Sequence, residues 1–188
     1  MPREENLSSD GLEQVTQTNH LAHFLLTNLL KKVLVASGEA RVVSVSSLMN
    51  MFGKVEIDNI NHEKYFDGKN VYSNSKLMNI LFSKELSRRW LSLGITSYSL
   101  HPGFVRTSIF DSSSKRDLVI FLGYFVGKNL VQGAQTSIFL SSEPGIENLS
   151  GNHFSDCRLE TVLVNRQAED LELARKLWER SEELVFRK

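Results

Sequence analysis

The run from Arg41 to Ser47, Arg-Val-Val-Ser-Val-Ser-Ser, limits the fold more than any other stretch of the chain. It is apolar and β-branched on nearly every residue except the serines, which is how a strand covered on both faces of a parallel sheet reads. Before it, from Leu12 to about Leu34, Val15, Ala22, Phe24, Leu25, Leu29 and Val33 recur at helical spacing. Asp10, with Glu13 three places on, is the expected N-cap of that helix, and Gly38 ends the pattern. After the strand, Ser47 to Val71 reads as loop, with Gly53, Gly68 and many Asn and Asp residues. Tyr72 to Trp90 reads as a second long helix carrying Leu77, Ile80, Leu81, Phe82 and Leu86, closed by Gly94. Ile95 to Leu100 is a short strand stopped by Pro102-Gly103. Val131 to Leu140 is a third helix, Asn152 to Ser155 a last strand, and Glu169 to Val185 a closing helix with Leu171, Ala174, Leu177, Ser181 and Leu184 along one side. Helix and strand in alternation predict an α/β chain with a doubly wound parallel sheet. The 188 residues suit a single domain, with residues 1 to 9 read as a disordered or displaced start.

Charge and composition exclude several functions. The formal net charge is zero, and Lys31-Lys32 and Arg88-Arg89 read as helix surface, so nucleic acid is not an expected partner. Cys157 is the only cysteine; it has no internal disulfide partner and no metal-ligand spacing around it, and it reads as an inert thiol in a reducing compartment. His20 and His23 flank Asn19 without further ligands, so no metal is expected. The first ten residues are polar and show no signal-peptide pattern. Leu118 to Val126 is the longest apolar stretch, well short of the ~20 residues of a spanning helix. The two glycosylation-type triplets at Asn6 and Asn148 are short enough to arise by chance.

Chemistry enters with a tyrosine and a lysine. A phenol of pKa ~10 is a poor base at neutral pH. Lys76 follows Tyr72 by four residues and so shares its helical face one turn along. Its ammonium favours the phenolate and brings the phenol toward the working range. Tyr72 can then act as an acid toward a carbonyl oxygen or a base toward an alcohol. Ser47 sits where the first strand gives way to a loop, the carboxyl edge along which open α/β sheets bind ligands. Its hydroxyl suits a hydrogen bond to the same substrate oxygen. Asn19, in mid-helix, is an amide placed to hold a water near Lys76. His101, just ahead of the Pro-Gly turn, reads as structural or pocket-lining and not as a base, because the tyrosine fills that role.

These residues carry a resemblance. Thr18-Asn19-His20-Leu21-Ala22-His23-Phe24, Val43-Ser44-Val45-Ser46-Ser47, Tyr72-Ser73-Asn74-Ser75-Lys76-Leu77-Met78-Asn79 and His101-Pro102-Gly103-Phe104-Val105-Arg106-Thr107 resemble the C-terminal two-thirds of a short-chain dehydrogenase/reductase, in its retinol dehydrogenase-like branch. Gly133-Ala134-Gln135-Thr136 and Gly151-Asn152-His153-Phe154 fit the same branch. The resemblance implies a partial Rossmann-like sheet, with Asn19, Ser47, Tyr72 and Lys76 as a catalytic tetrad. It implies that Lys76 also binds the nicotinamide ribose, and that Pro102, Gly103, Val105 and Thr107 cradle the nicotinamide end of the cofactor. The cofactor implied is NADP(H) ahead of NAD(H). The residues that distinguish the two follow a strand not found in this sequence.

The family's Thr-Gly-x-x-x-Gly-x-Gly turn, which holds the pyrophosphate, is also not found; Gly123 and Gly127 share a partial spacing but follow no strand. The sheet is therefore expected to show an open edge and unburied faces. The stretch from Ile109 to Val126 falls where the family covers its substrate. It reads three ways: a wall for a retinoid or lipid aldehyde, an ordinary packed helix, or a shallow membrane contact. The expected partners are a small apolar alcohol or aldehyde and a second copy through the helices at 12–34 and 72–90. The expected location is intracellular, in the cytoplasm or on the cytoplasmic side of the endoplasmic reticulum or mitochondrial membranes. The rival reading is a truncated, catalytically silent chain or a non-enzymatic dimerisation partner.

Overall fold

The structure, a computed structural model, describes residues 6–106 and 127–186. Glu13 caps the first helix: its carboxylate accepts from the amides of Val15 and Thr16, at 3.0 and 2.6 Å. Asp10, expected in that role, instead accepts from Gln17 Nε2 at 3.1 Å. Within the start read as disordered, Leu7 bridges to Glu13. Helix α1 (Gln14–Thr16) widens into a π turn (Gln17–Leu21) and resumes as α2 (Ala22–Ala36). Gly38, at φ +80°, turns the chain into strand β1 (Ala40–Val45). There follow α3 (Val71–Trp90), β2 (Ile95–His101), α4 (Leu130–Ser142), β3 (His153–Ser155), β4 (Arg158–Leu159) and α5 (Leu171–Val185), the last capped by Asp170.

The four strands lie in the order β1-β2-β3-β4; β1, β2 and β3 run parallel and β4 returns antiparallel to β3. The hairpin between β3 and β4 was not expected, since its turn residues Asp156 and Cys157 adopt left-handed φ of 50° and 58° without the usual glycine. β1 is an edge strand among the described residues, and most of it is half-buried, not covered on both faces. Its β-branched residues report a fit to a pleated surface, which an edge strand also offers.

β2 is buried along its whole length, and its alternation builds the two sides of the core. Ile95 joins Phe24, Phe82, Leu86, Trp90 and Trp178 on the side of α2, α3 and α5. Tyr98 and Leu100 join Leu140, Ile146 and Phe154 on the side of α4. Trp178 meets Phe24 edge-on at 4.9 Å and stacks on Phe82 at 5.8 Å, so α5 is locked onto α2 and α3 by rings. Helix α3 is the hub: it packs on β1, β2 and α5 and is buried on nearly every side. Helix α2 does present exposed apolar residues, among them Leu26, Leu29 and Val33. The segment read as substrate-covering, from Ile109 to Val126, lies outside the described residues. Among the described residues no helix is long and apolar enough to cross a membrane.

Two buried histidines give the fold a pH dependence. His20, in the π turn, bonds Ser181 Oγ through Nε2 at 2.9 Å, and burial holds its pKa down from 6.5 to about 4. His153 bonds Ser99 Oγ through Nδ1 at 2.9 Å and is likewise pushed down to about 4, by burial first and by His101 second. The unfolded chain takes up both protons near pH 6.5 and the folded chain does so near 4, so the unfolded state binds more protons between the two. Stability is therefore full above 6.5 and falls as pH drops toward 4, by on the order of 3 kcal/mol per histidine. Urea midpoints measured across this window should decline, and His20→Gln should remove the share of the slope that His20 contributes. An unchanged slope in that variant would mean that His20 titrates normally.

Candidate active site

The site is built at the carboxyl end of β1, where strand and helix α3 are tied together. Ser46 Oγ donates to the carbonyl of Lys76 at 2.7 Å. The Val45 carbonyl accepts from Lys76 Nζ at 3.3 Å and from Asn79 Nδ2 at 3.2 Å. Three bonds thus fix the last residues of β1 against one face of α3. They also fix the direction in which Ser47 leaves the strand.

Ser47 is extended, at φ −156° and ψ 155°, and caps a 3-10 turn, Leu48–Phe52, by accepting from Met49 N at 3.2 Å. That turn sits on the start of α3. Gly53 closes it so tightly that a Cβ there would lie 2.7 Å from the carbonyl oxygen of Ser73. Asn50 and Asn165 hold the turn from its other side: Asn165 N donates to Asn50 Oδ1 at 3.0 Å, and Asn165 Nδ2 donates to the Gly53 carbonyl at 2.8 Å. Tyr72 and Lys76 rise from the α3 face next to this turn. The ammonium of Lys76 stands 5.5 Å from the centroid of the Tyr72 ring, and partial burial lowers the lysine's pKa from its ordinary 10.5.

Asn19 reaches the same helix from the π turn. Its amide donates to Ser75 Oγ at 3.0 Å, and Ser75 Oγ donates to the Tyr72 carbonyl at 2.7 Å. Asn19 is therefore linked to the tyrosine's backbone, one residue away from the lysine. The π turn carries Asn19 at its centre. Such widened turns recur at functional sites because they displace a side chain without ending a helix.

The next strand brings the second wall. β1 and β2 are in parallel register, Val45 opposite Leu100, and Ser46 N donates to the Leu100 carbonyl at 2.6 Å. Pro102, Gly103 and Val105 thus begin on the same sheet edge as Ser47. Gly103 takes φ +84°, a conformation that suits glycine. Val105 pairs with Lys128 and packs on Gly133 of α4, where a Cβ would lie 2.6 Å from Val105 Cγ2. Thr107 lies outside the described residues. A groove of about 650 Å³, lined by Gly38, Arg41, Gly94 and Glu147 among others, is at the opposite, amino end of the strands and holds none of these residues. Among the described residues no group of three or more His, Cys, Asp or Glu is placed to hold a metal.

Four contributors were not singled out from sequence. Ser46, Asn79, Ser75 and Lys128 hold the site without facing the reacting atoms. A signal existed for one of them: Asn79 follows Lys76 by three residues and so shares its helical face. Ser46 and Ser75 look like any serine beside a motif serine or lysine, and Lys128 depends on a contact across the fold.

The geometry of the Ser47 turn generates a test. Gly53→Ala would drive a methyl group into backbone that cannot move away, and should cost about 1–3 kcal/mol. Urea denaturation of the variant measures it. A cost near zero would show that the turn after Ser47 is not seated on α3.

The model of the short chain dehydrogenase family matches residues 2–118. Human retinol dehydrogenase 11 is 43% identical over 178 residues, covering 95% of this chain and 55% of the relative. Human retinol dehydrogenase 14 is 42% identical over 182 residues, covering 95% of this chain and 54% of the relative. The chain thus spans about half the length of the curated relatives that it matches. A Mycobacterium paratuberculosis protein of known structure, itself uncharacterised, superposes with a TM-score of 0.69 at 29% identity, covering 96% of this chain and 62% of that one.

Proposed function

The chain belongs to the short-chain dehydrogenase family, and from that membership we propose that it serves an NAD(P)-dependent oxidoreductase of the retinol dehydrogenase-like type. The reaction would be hydride transfer between NADP(H), ahead of NAD(H), and an apolar alcohol/carbonyl pair such as a retinoid or lipid aldehyde. The observation that carries the reading is the Tyr72–Lys76 pair, with the ammonium 5.5 Å from the ring centroid and tethered to the end of the strand that leads into Ser47.

The residues present fit one end of such a cofactor. Lys76 offers donors to ribose hydroxyls beyond its bond to Val45, and the Pro102–Gly103 turn leaves the same edge of the sheet.

When bound, a nicotinamide dinucleotide supplies the hydride to the carbonyl carbon, or accepts it in the reverse direction. The Tyr72 phenol gives its proton to the carbonyl oxygen, or takes the alcohol's proton. Lys76 makes this easier by favouring the phenolate through its charge. Ser47 donates a hydrogen bond to the same oxygen, where negative charge grows as the bond order falls. Asn19, through Ser75, holds the backbone at Tyr72 so that the phenol keeps its direction.

Substitution separates these roles. In a form that turns over, Tyr72→Phe should lower the rate by about 10²–10⁴ while leaving the folded chain and cofactor binding intact. Undiminished turnover of a retinoid aldehyde would remove Tyr72 from the mechanism. Titration of the chain with NADPH and with NADH should raise its melting temperature, because a ligand bound only by the folded state stabilises it by mass action. A flat melting temperature with both would support the second reading, a silent chain or a non-enzymatic partner, which the exposed apolar residues of α2 favour.

A further inference from the structure

His101 ends β2 and precedes the Pro102–Gly103 turn; it is buried, and its ring has two neighbours that settle its state. The backbone N–H of Gly103 donates to His101 Nδ1 at 3.0 Å. An amide can only donate, so Nδ1 carries no proton. The ring proton of the neutral imidazole is therefore on Nε2, where it meets Ser155 Oγ at 3.1 Å. Ser155 is the residue of β3 paired with His101 across the sheet, so this second bond anchors the ring to the ladder itself.

The turn has a second hold. Lys128 Nζ donates to the Pro102 carbonyl at 3.0 Å and pairs with Asp156 on the β3–β4 hairpin. Its stem lies over Gly103 so closely that a Cβ there would be 2.8 Å from Lys128 Cε. Lys128 thus fixes the turn's carbonyl and His101 its amide, each from a different strand or segment.

We propose that His101 is a positioning residue: as a neutral imidazole bare at Nδ1, it fixes the Pro102–Gly103 turn that walls the nicotinamide end of the cofactor site. This rests on the reading of that turn given under the proposed function. Protonation of Nδ1 would place an N–H against the Gly103 N–H and break the hold. The charged and titratable groups around the ring are Lys128, which opposes protonation, Glu160 and Asp156, which favour it, and the stacked ring of His153 at 6.5 Å. Burial and Lys128 prevail, and the imidazole titrates below its ordinary 6.5. The hold is thus complete at neutral pH and is lost as pH falls through His101's own midpoint.

Three measurements on the full chain test it. In the ¹⁵N-labelled chain, long-range ¹⁵N–¹H spectra should show His101 protonated on Nε2 at neutral pH, and the Gly103 amide shift should move with the His101 midpoint, below 6.5. His101→Leu should speed exchange of the Gly103 amide roughly ten-fold, and His101→Asn, whose Oδ1 can take the place of Nδ1, should restore it to within about three-fold. NADPH titration should follow the same order: roughly ten-fold weaker in His101→Leu, recovered in His101→Asn, and weakening with falling pH only where the histidine is present. A proton on Nδ1, a Gly103 amide that ignores the His101 titration, or a His101→Leu chain that binds NADPH as the unsubstituted chain does would each overturn the proposal. If the unsubstituted chain binds no NADPH, the cofactor reading itself fails, and the tautomer and the Gly103 amide still decide whether His101 holds the turn.

Discussion

The carbonyl of Val45 is the point on which the site depends. A backbone oxygen at the end of an edge strand would ordinarily face water or a neighbouring strand. Here it accepts from the ammonium of Lys76 and the amide of Asn79, while Ser46 bonds back to the Lys76 carbonyl. Strand end and helix behave as one body, so the directions of Ser47, Tyr72 and Lys76 are set together. The arrangement costs little conformational freedom, because α3 is already packed on the sheet through Phe82, Leu86 and Trp90, which cluster with Ile95, Ala40 and Val42. It also explains why Lys76 does not simply extend into solvent: its stem is covered and its head has a fixed acceptor.

Much of this was legible in the sequence, and the parts that were not share a cause. Periodicity located α3 to within a residue, Tyr72 to Trp90 against Val71–Trp90, because a helix that packs on several sides must repeat its apolar residues. The four-residue spacing of Tyr72 and Lys76 placed both on one face, as found. The first helix was less faithful. Glu13 displaces Asp10 as cap because Asn61, 48 residues away, binds the Glu13 amide and seats the residue at the helix start. The π turn at Asn19 leaves no mark on apolar spacing. The Asp156–Cys157 turn breaks the usual glycine rule, and its left-handed residues are held by contacts from Lys128 and Thr136 that no local pattern encodes.

The open surfaces belong to the same account. β1 lies at the sheet's edge among the described residues, and α2 carries apolar side chains in solvent. The candidate residues Tyr72 and Lys76 come from α3, and Ser47 from the turn that follows β1.

The most direct test of the Val45 tether is the titration of the Lys76 ammonium, followed by NMR at its ε-carbon against the other lysines of the chain. An ammonium held in the partly buried cleft between β1 and α3 should lose its proton at a pH below the ordinary 10.5, ahead of the exposed lysines. A Lys76 that titrates with the rest would place its charge in open water and contradict the arrangement of the site.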